Sequence, residues 1–174
     1  MHLLIIVVKM AFTSVDIRNI ILPFQIHGIF KGVFPCDLLP KKFTLPAAFI
    51  INLSEHDSLG SHWVGLYIDR NHEAEYFDSF GFPPIQNHIQ HFIRKYSRNL
   101  TFNSKQLQHI VSNKCGKYVI LFILCKMYGK SPIEVFEKFS SNLIVNEIVI
   151  ESQFKYFTQL RKNILYNLYT KNNE

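Results

Sequence analysis

The sequence predicts a single α+β domain: a central mixed β-sheet packed against one apolar helix, with further helices flanking it. Three observations lead there. Strand-like apolar runs cluster in the middle of the chain, helical periodicity marks both ends, and the stretch from Cys115 to Met127 is apolar on nearly every face. A helix without a polar side has to be surrounded by protein, so this one reads as the central core element. A chain of 174 residues ordinarily makes one domain. At this size roughly 70% of the unfolded surface can be buried. The hydrophobic fraction of 48%, with 16 Phe and 8 Tyr, supplies the material for that core. No repeat, low-complexity tract or linker divides the chain.

The elements follow in order from punctuation and period. Leu3 to Val8 is a short apolar run broken by Lys9, too short for a transmembrane helix and without a clear cleavage site. Met10 is a candidate start of translation, which would leave Met1–Lys9 as an added leader; residues 1–12 read as an N-terminal extension and 13–170 as the domain proper. A packed or membrane-facing strand is the alternative for the run. Ser14 or Thr13 caps a short helix near Val15–Leu22, stopped by Pro23. Gly28 to Pro46 reads as loop, with turns at Gly32, Pro35 and Pro40. Ala47–Leu53 and His62–Ile68 are apolar strands, and Ala74–Asp78 is a third. The last two are joined by the polar turn Asp69-Arg70-Asn71-His72-Glu73, a connection short enough for an antiparallel hairpin. Pro83-Pro84 opens a helix to about Ser97, with Ile85, Ile89, Phe92, Ile93 and Tyr96 at helical spacing. A short strand near Leu100–Phe102 and the strand-like segment Lys105–His109 precede the Cys115 helix, which ends at Gly129 as its C′ residue. Ser131-Pro132-Ile133-Glu134 is a capping box with proline at the first helical position, opening a helix over Pro132–Phe139. A last helix runs from about Asn146 into the Tyr156–Tyr169 region, and residues 171–174 form a frayed tail.

Cys115 stands at the head of the central helix, in Ser112-Asn113-Lys114-Cys115-Gly116. The unpaired N–H groups and the dipole at a helix start favour a thiolate, the nucleophilic form of a cysteine. Read alone, a cysteine opening an apolar run is a small core residue. The case for chemistry rests on what precedes it. His62 enters the first strand of the hairpin and Asp78 leaves the second, so the fold brings both to one end. An imidazole beside a carboxylate, facing a thiol at a helix N-terminus, is a nucleophile, its base and the group that orients the base.

The order His62, Asp78, Gln108, Cys115 resembles the adenovirus protease family (adenain), within the clan that includes the SUMO and other ubiquitin-like-protein proteases. The matching stretches are His62-Trp63, the carboxylate in Tyr76-Phe77-Asp78-Ser79-Phe80-Gly81-Phe82, and Gln108 seven residues before Cys115-Gly116. That spacing is closer to the adenovirus branch than to the SUMO proteases. Two departures are the Asp in place of the adenain Glu and a hairpin about one residue shorter; a carboxylate of either length can hold an imidazole. The resemblance runs from about Phe34 to Gly129. It implies a papain-like, adenain-like fold and a cysteine endopeptidase, of a virus or virus-like integrated element, that matures precursors after glycine-containing motifs. It also implies roles. Cys115 attacks the scissile carbonyl, His62 carries the proton from thiol to leaving amine, and Asp78 orients His62. Gln108 and the backbone N–H of Cys115 donate to the oxyanion, where one donor is typically worth about 2.7–4 kcal/mol of barrier. Trp63 matches the tryptophan that covers a narrow channel admitting glycine beside the cut.

Rival residues are weaker. Cys36 lies in a proline-bounded loop with no helix behind it, and Cys125 sits in mid-helix; both read as structural. No cysteines show zinc spacing, so no metal or organic cofactor is expected. His72 belongs to the hairpin turn, and His109 adjoins Gln108. His88 and His91, three apart on a helix, read as a solvated face before a metal pair. Gln106 competes with Gln108, because residues two apart in a strand face the same side; spacing favours Gln108.

The net charge of +6, gathered at Lys41-Lys42, Arg94 to Arg98, Lys114-Lys117 and Arg161-Lys162, suits an anionic partner such as nucleic acid, or simply keeps an aromatic-rich protein in solution. The resemblance implies DNA and a short peptide as activators. Three cysteines in no framework fit an intracellular reducing compartment, the host nucleus or cytoplasm, or a virion. The expected partner is a polypeptide substrate, acted on by a monomer without stable membrane association. An isopeptidase removing a ubiquitin-like modifier such as SUMO is the alternative enzyme, and a pseudoprotease scaffold the non-enzymatic one.

Overall fold

The computed structural model describes residues 12–25, 28–132, 136 and 139–171. The apolar run Leu3–Val8, Met10 and residues 172–174 lie outside them, as does most of the helix expected over Pro132–Phe139 with its capping box. The architecture is α+β, a five-stranded mixed sheet with helices on both faces.

Helix α1 (Ser14–Ile21) starts at Thr13, whose hydroxyl accepts from the Asp16 N–H while the Asp16 carboxylate accepts from the Thr13 N–H, a reciprocal cap. Ile17 and Ile21 are its buried face. Pro23 ends the α-helical pattern in a single 3₁₀ turn over Leu22–Phe24. The strands are β1 (Phe30–Pro35), β2 (Ala47–Asn52), β3 (Trp63–Ile68), β4 (Glu73–Phe77) and β5 (Asn99–Phe102), side by side in that order. Pairs β1–β2 and β4–β5 are parallel, and β2–β3 and β3–β4 antiparallel. The expected hairpin is therefore β3–β4, with ends within one residue of the sequence reading.

Strand β1 corrects that reading, which took 28–46 as loop. Its glycine and proline mask a strand because β1 is an edge: an irregularity between Phe30 and Gly32 absorbs the glycine, and Pro35 closes the strand where no further ladder N–H is needed. Strand β2 is buried throughout. Ala48 and Ile50 face one core, and Ala47, Phe49 and Ile51 the other, which explains an apolar run without alternation.

The second core lies under α2 (Asn87–Tyr96), through Ile89, Phe92 and Ile93. This helix begins later than Pro83. A proline disfavours helical backbone in the residue before it, so Pro83 is held extended by Pro84, and the Gln86 side chain caps the helix at Asn87. Ile85 is consequently outside the helix and exposed. Segment Lys105–His109 is likewise irregular rather than strand-like, which removes the basis for placing Gln106 and Gln108 on one side.

On the opposite face lie α1, α3 (Cys115–Met127) and α4 (Leu143–Lys171). Every α3 residue except Lys126 is buried. The helix lies close on β3 because Gly65 has no side chain: a Cβ there would stand 2.7 Å from Phe122 Cδ1 and 3.0 Å from Val119 Cγ2. Gly129, with φ +64°, ends α3 as the sequence predicts, and the Lys130 N–H closes back onto the Cys125 carbonyl at 2.8 Å. Among the described residues no helix is long and apolar enough to cross a membrane.

Candidate active site

The site assembles at the end of the sheet where β3 begins and β4 ends. Asn52, the last residue of β2, gathers the loop before β3: its Oδ1 accepts from the N–H groups of Ser54 and Ser61 at 2.9 and 3.2 Å. The Leu53 N–H then pairs with the His62 carbonyl at 3.0 Å, fixing the backbone on which His62 stands. On β3–β4 the register pairs Gly65 with Phe77, so the residues just beyond, toward His62 and Asp78, converge. The His62 Nε2 lies 2.9 Å from the Asp78 Oδ1.

Asp78 is almost fully buried and its backbone is held by Asn103. The Asp78 N–H donates to Asn103 Oδ1 at 2.9 Å, and Asn103 Nδ2 donates to the Asp78 carbonyl at 2.6 Å. Its Oδ1 also accepts from the Phe80 N–H at 2.8 Å, and the Phe80 ring lies 4.8 Å from the imidazole. The turn closes through the Gly81 N–H on the Asp78 carbonyl. Gly81 takes φ +79°, where a Cβ would also stand 2.9 Å from the backbone of Lys105.

Cys115 is the first residue of α3, buried at the floor of a cleft. Its sulfur lies near enough to His62 to act on the charge of the ring. With Nε2 taken by Asp78, the ring nitrogen left for the sulfur is Nδ1. Burial of the imidazole opposes its protonation, but the hydrogen bond to Asp78, the nearby Cys115 and the charges of those two groups outweigh it, and His62 is pushed up to about 9. The shift favours the protonated, charged form of the ring beside the sulfur.

The cleft, about 590 Å³, is lined by Cys115, Trp63, the loop 54–61 and Phe12 to Ser14. Trp63 is nearly buried, and its Nε1–H donates to the Phe12 carbonyl at 2.9 Å. His56 on the rim is tied to Asp37 at 2.6 Å.

Gln108 is 1% exposed and fully oriented. Its Oε1 accepts from the Ser79 hydroxyl at 2.6 Å and its Nε2 donates to the Ser112 carbonyl at 2.7 Å. The Ser112 carbonyl cannot face another acceptor, so the amide has one orientation. One Nε2 hydrogen is used there, and a second remains on the same nitrogen. Gln106 is exposed and donates to the Gln108 backbone carbonyl at 2.9 Å, which separates the two glutamines.

Cys36, Cys125, His72 and His88 do not line this cleft. The Cys36 thiol contacts the Leu53 carbonyl at 3.2 Å, and burial, with the nearby charges of Asp37 and Glu55, raises its pKa. Cys125 is inside α3. His72 holds the hairpin turn with φ +66° and faces the Tyr96 carbonyl. His88 pairs with Glu55 at 3.3 Å on the surface. Among the described residues no cluster of His, Cys, Asp or Glu could hold a metal ion.

The fold and this geometry meet one relative in sequence. A protein of Acanthamoeba polyphaga mimivirus, named as a thiol protease, is 27% identical over 173 residues, covering 83% of this chain and 56% of its own length. This chain is similar to a viral thiol protease. It spans little more than half the length of that relative. No protein-family model matches. Among solved structures, the ASFV pS273R protease superposes with a TM-score of 0.43 at 17% identity, over 60% of this chain and 41% of that one. The central domain of the uncharacterized Lpg1148 protein from Legionella pneumophila gives 0.44 at 12% identity, over 84% of this chain and 98% of that one.

Sequence reasoning missed Ser79, Asn103, Asn146 and Glu147, the groups that hold the candidate residues in place. Short polar side chains in loops carry no periodic signal, and nothing in the pattern of the last helix marks Asn146 or Glu147.

Proposed function

We propose that this protein is a cysteine endopeptidase of the adenain-like type, acting through Cys115, His62 and Asp78. The observation that carries the reading is the His62 imidazole, bonded to the Asp78 carboxylate and neighbouring the Cys115 thiol at the start of a buried helix, beside an open cleft. In the reaction, the Cys115 Sγ attacks the scissile carbonyl as a thiolate and His62 gives its proton to the leaving amine. Water then attacks the acyl-enzyme as His62 takes back a proton, and the carboxyl product leaves. Asp78 keeps the ring oriented and compensates its charge. The oxyanion lies between the second hydrogen of Gln108 Nε2 and the N–H of Cys115, for which the first helical position provides no intrahelical acceptor. The substrates are precursor polypeptides cut after glycine, with Trp63 as a cleft wall.

The test is a cysteine-reactive acyl probe followed by peptide mapping, with peptide hydrolysis measured alongside. The label is expected on Cys115 alone, and Cys115→Ala and Cys115→Ser should abolish both labelling and hydrolysis. Label on Cys36, or hydrolysis surviving in Cys115→Ala, overturns the assignment.

A further inference from the structure

Helix α4 places two polar side chains, one turn from its start, into the loop that carries Gln108. The start itself is fixed: Asn142 Oδ1 accepts from the N–H groups of Ile144 and Val145 at 3.1 and 3.3 Å. Asn146 is completely buried. Its Nδ2 donates to the carbonyls of Leu107 and Ser140, both at 3.0 Å, and its Oδ1 accepts from the Ser140 N–H at 2.8 Å. Glu147 follows on the same turn. Its Oε1 accepts from the His109 N–H at 3.0 Å and its Oε2 from the Ser112 hydroxyl at 2.7 Å, while the Tyr118 hydroxyl lies 3.4 Å from Oε1. Lys114, immediately before the nucleophile, stands 3.2 Å from its Oε2.

These contacts bracket Gln108. Asn146 holds the residue before it, and Glu147 holds the residue after it together with Ser112, whose carbonyl fixes the Gln108 amide. A carboxylate accepting three or more donors is stiff, since each charge-assisted bond is stronger than a neutral one. We infer that Glu147 is a positioning residue for the oxyanion donor: through Ser112 and His109 it sets the direction of the Gln108 amide, and Asn146 holds the same loop from the other side. The inference rests on the proteolytic reading of Cys115 and Gln108. In that reaction Glu147 touches no reacting atom, so its effect belongs to the acyl-transfer steps and not to the sulfur itself.

The experiment is a double-substitution cycle on the full chain, read in two ways. Peptide hydrolysis, with kcat and KM separated, needs the oxyanion donor; alkylation of Cys115 by iodoacetamide forms no oxyanion and reads only the sulfur and His62. Glu147→Ala is expected to lower kcat at least tenfold, within the roughly 10²–10³ that loss of a whole donor costs, with KM little changed and alkylation not slowed. Glu147→Gln, which keeps one acceptor oxygen, should recover part of the loss. Combined with Gln108→Ala, Glu147→Ala should add nothing further. Ser112→Ala, which removes the hydroxyl link to Glu147 together with the acceptor of the Lys114 N–H, carries the same expectation if Glu147→Ala folds poorly. Losses that multiply in the double variant, or an alkylation rate that falls in step with kcat, overturn the inference while leaving the protease in place. A wild-type chain without Cys115-dependent hydrolysis instead overturns the proteolytic reading, and the inference with it.

Discussion

His62 Nε2 and Asp78 Oδ1 stand 2.9 Å apart although 16 residues separate them in sequence. The contact is a product of register. Gly65 pairs with Phe77 and Ile68 with Ala74, so any one-residue slip in the β3–β4 hairpin would turn one of the two side chains to the other face of the sheet. The turn guards against that slip: Asp69 Oδ1 accepts from the N–H groups of Asn71 and Glu73, both at 2.8 Å.

Substitutions at the candidate triad should therefore rank in a definite order. His62→Ala is expected to cost about 10²–10⁴ in kcat, the usual span for an acid–base group, and to approach Cys115→Ala in severity. Asp78→Asn should cost less, because an amide oxygen still accepts from the Phe80 N–H and the ring keeps its packing against Phe80. His72→Ala, in the hairpin turn away from the cleft, is the control and should leave kcat nearly unchanged. Steady-state kinetics on one peptide decide the order, and an innocuous His62→Ala would remove the dyad.

The pH dependence has a definite sign. His62 is raised from 6.5 to about 9 in the folded protein, so its charged form contributes stability that is fully present below about 6.5 and lost as pH rises through about 9. Urea midpoints should therefore fall across that window in the wild type and fall less in His62→Gln. NMR titration of the ring should show its transition near pH 9, moving lower in Asp78→Asn and in Cys115→Ala. A ring that titrates at its ordinary value in the wild type contradicts the paired geometry.

The fold was legible where the pattern is periodic or punctuated. The apolar face of α2, the all-round burial of α3 and the β3–β4 hairpin each follow from side-chain spacing, and with the hairpin comes the convergence of His62 and Asp78. Strand β1 was not legible, because an edge strand tolerates the glycine and proline that otherwise signal a loop. The start of α2 was misplaced for a related reason: Pro83-Pro84 looks like a helix opening, while the cap is Gln86. The supporting polar contacts were not legible at all. Asn103 on Asp78, Ser79 on Gln108 and Glu147 on Ser112 join residues 25, 29 and 35 positions apart, and such partnerships exist only once the tertiary fold does.

The approach of β3 to α3 predicts a stability effect outside the catalytic groups. Gly65→Ala puts a methyl group 2.7 Å from Phe122 and 3.0 Å from Val119 in a core with no slack on either side. Overpacking of this kind typically costs about 1–3 kcal/mol. Chemical denaturation should show the loss, and Phe122→Leu in the same chain should recover part of it. Unchanged stability in Gly65→Ala would mean that α3 stands farther from the sheet.

Trp63 should govern which residue precedes the cut. It lines the cleft with Cys115, and its indole is fixed on both sides, by packing in the core shared with α3 and by the bond from Nε1–H to the Phe12 carbonyl. A side chain on the substrate beside the scissile bond would have to displace that indole, whereas glycine has nothing to displace. A peptide library should therefore be cleaved after glycine, with bulky residues refused at that position. Trp63→Ala should widen acceptance to larger residues and raise KM for the glycine peptides, since it removes a wall as well as an obstacle. Trp63→Phe keeps an aromatic wall but loses the donor to Phe12, and should fall between the two. A wild-type enzyme indifferent to the residue before the cut would show that the indole forms no part of the subsite.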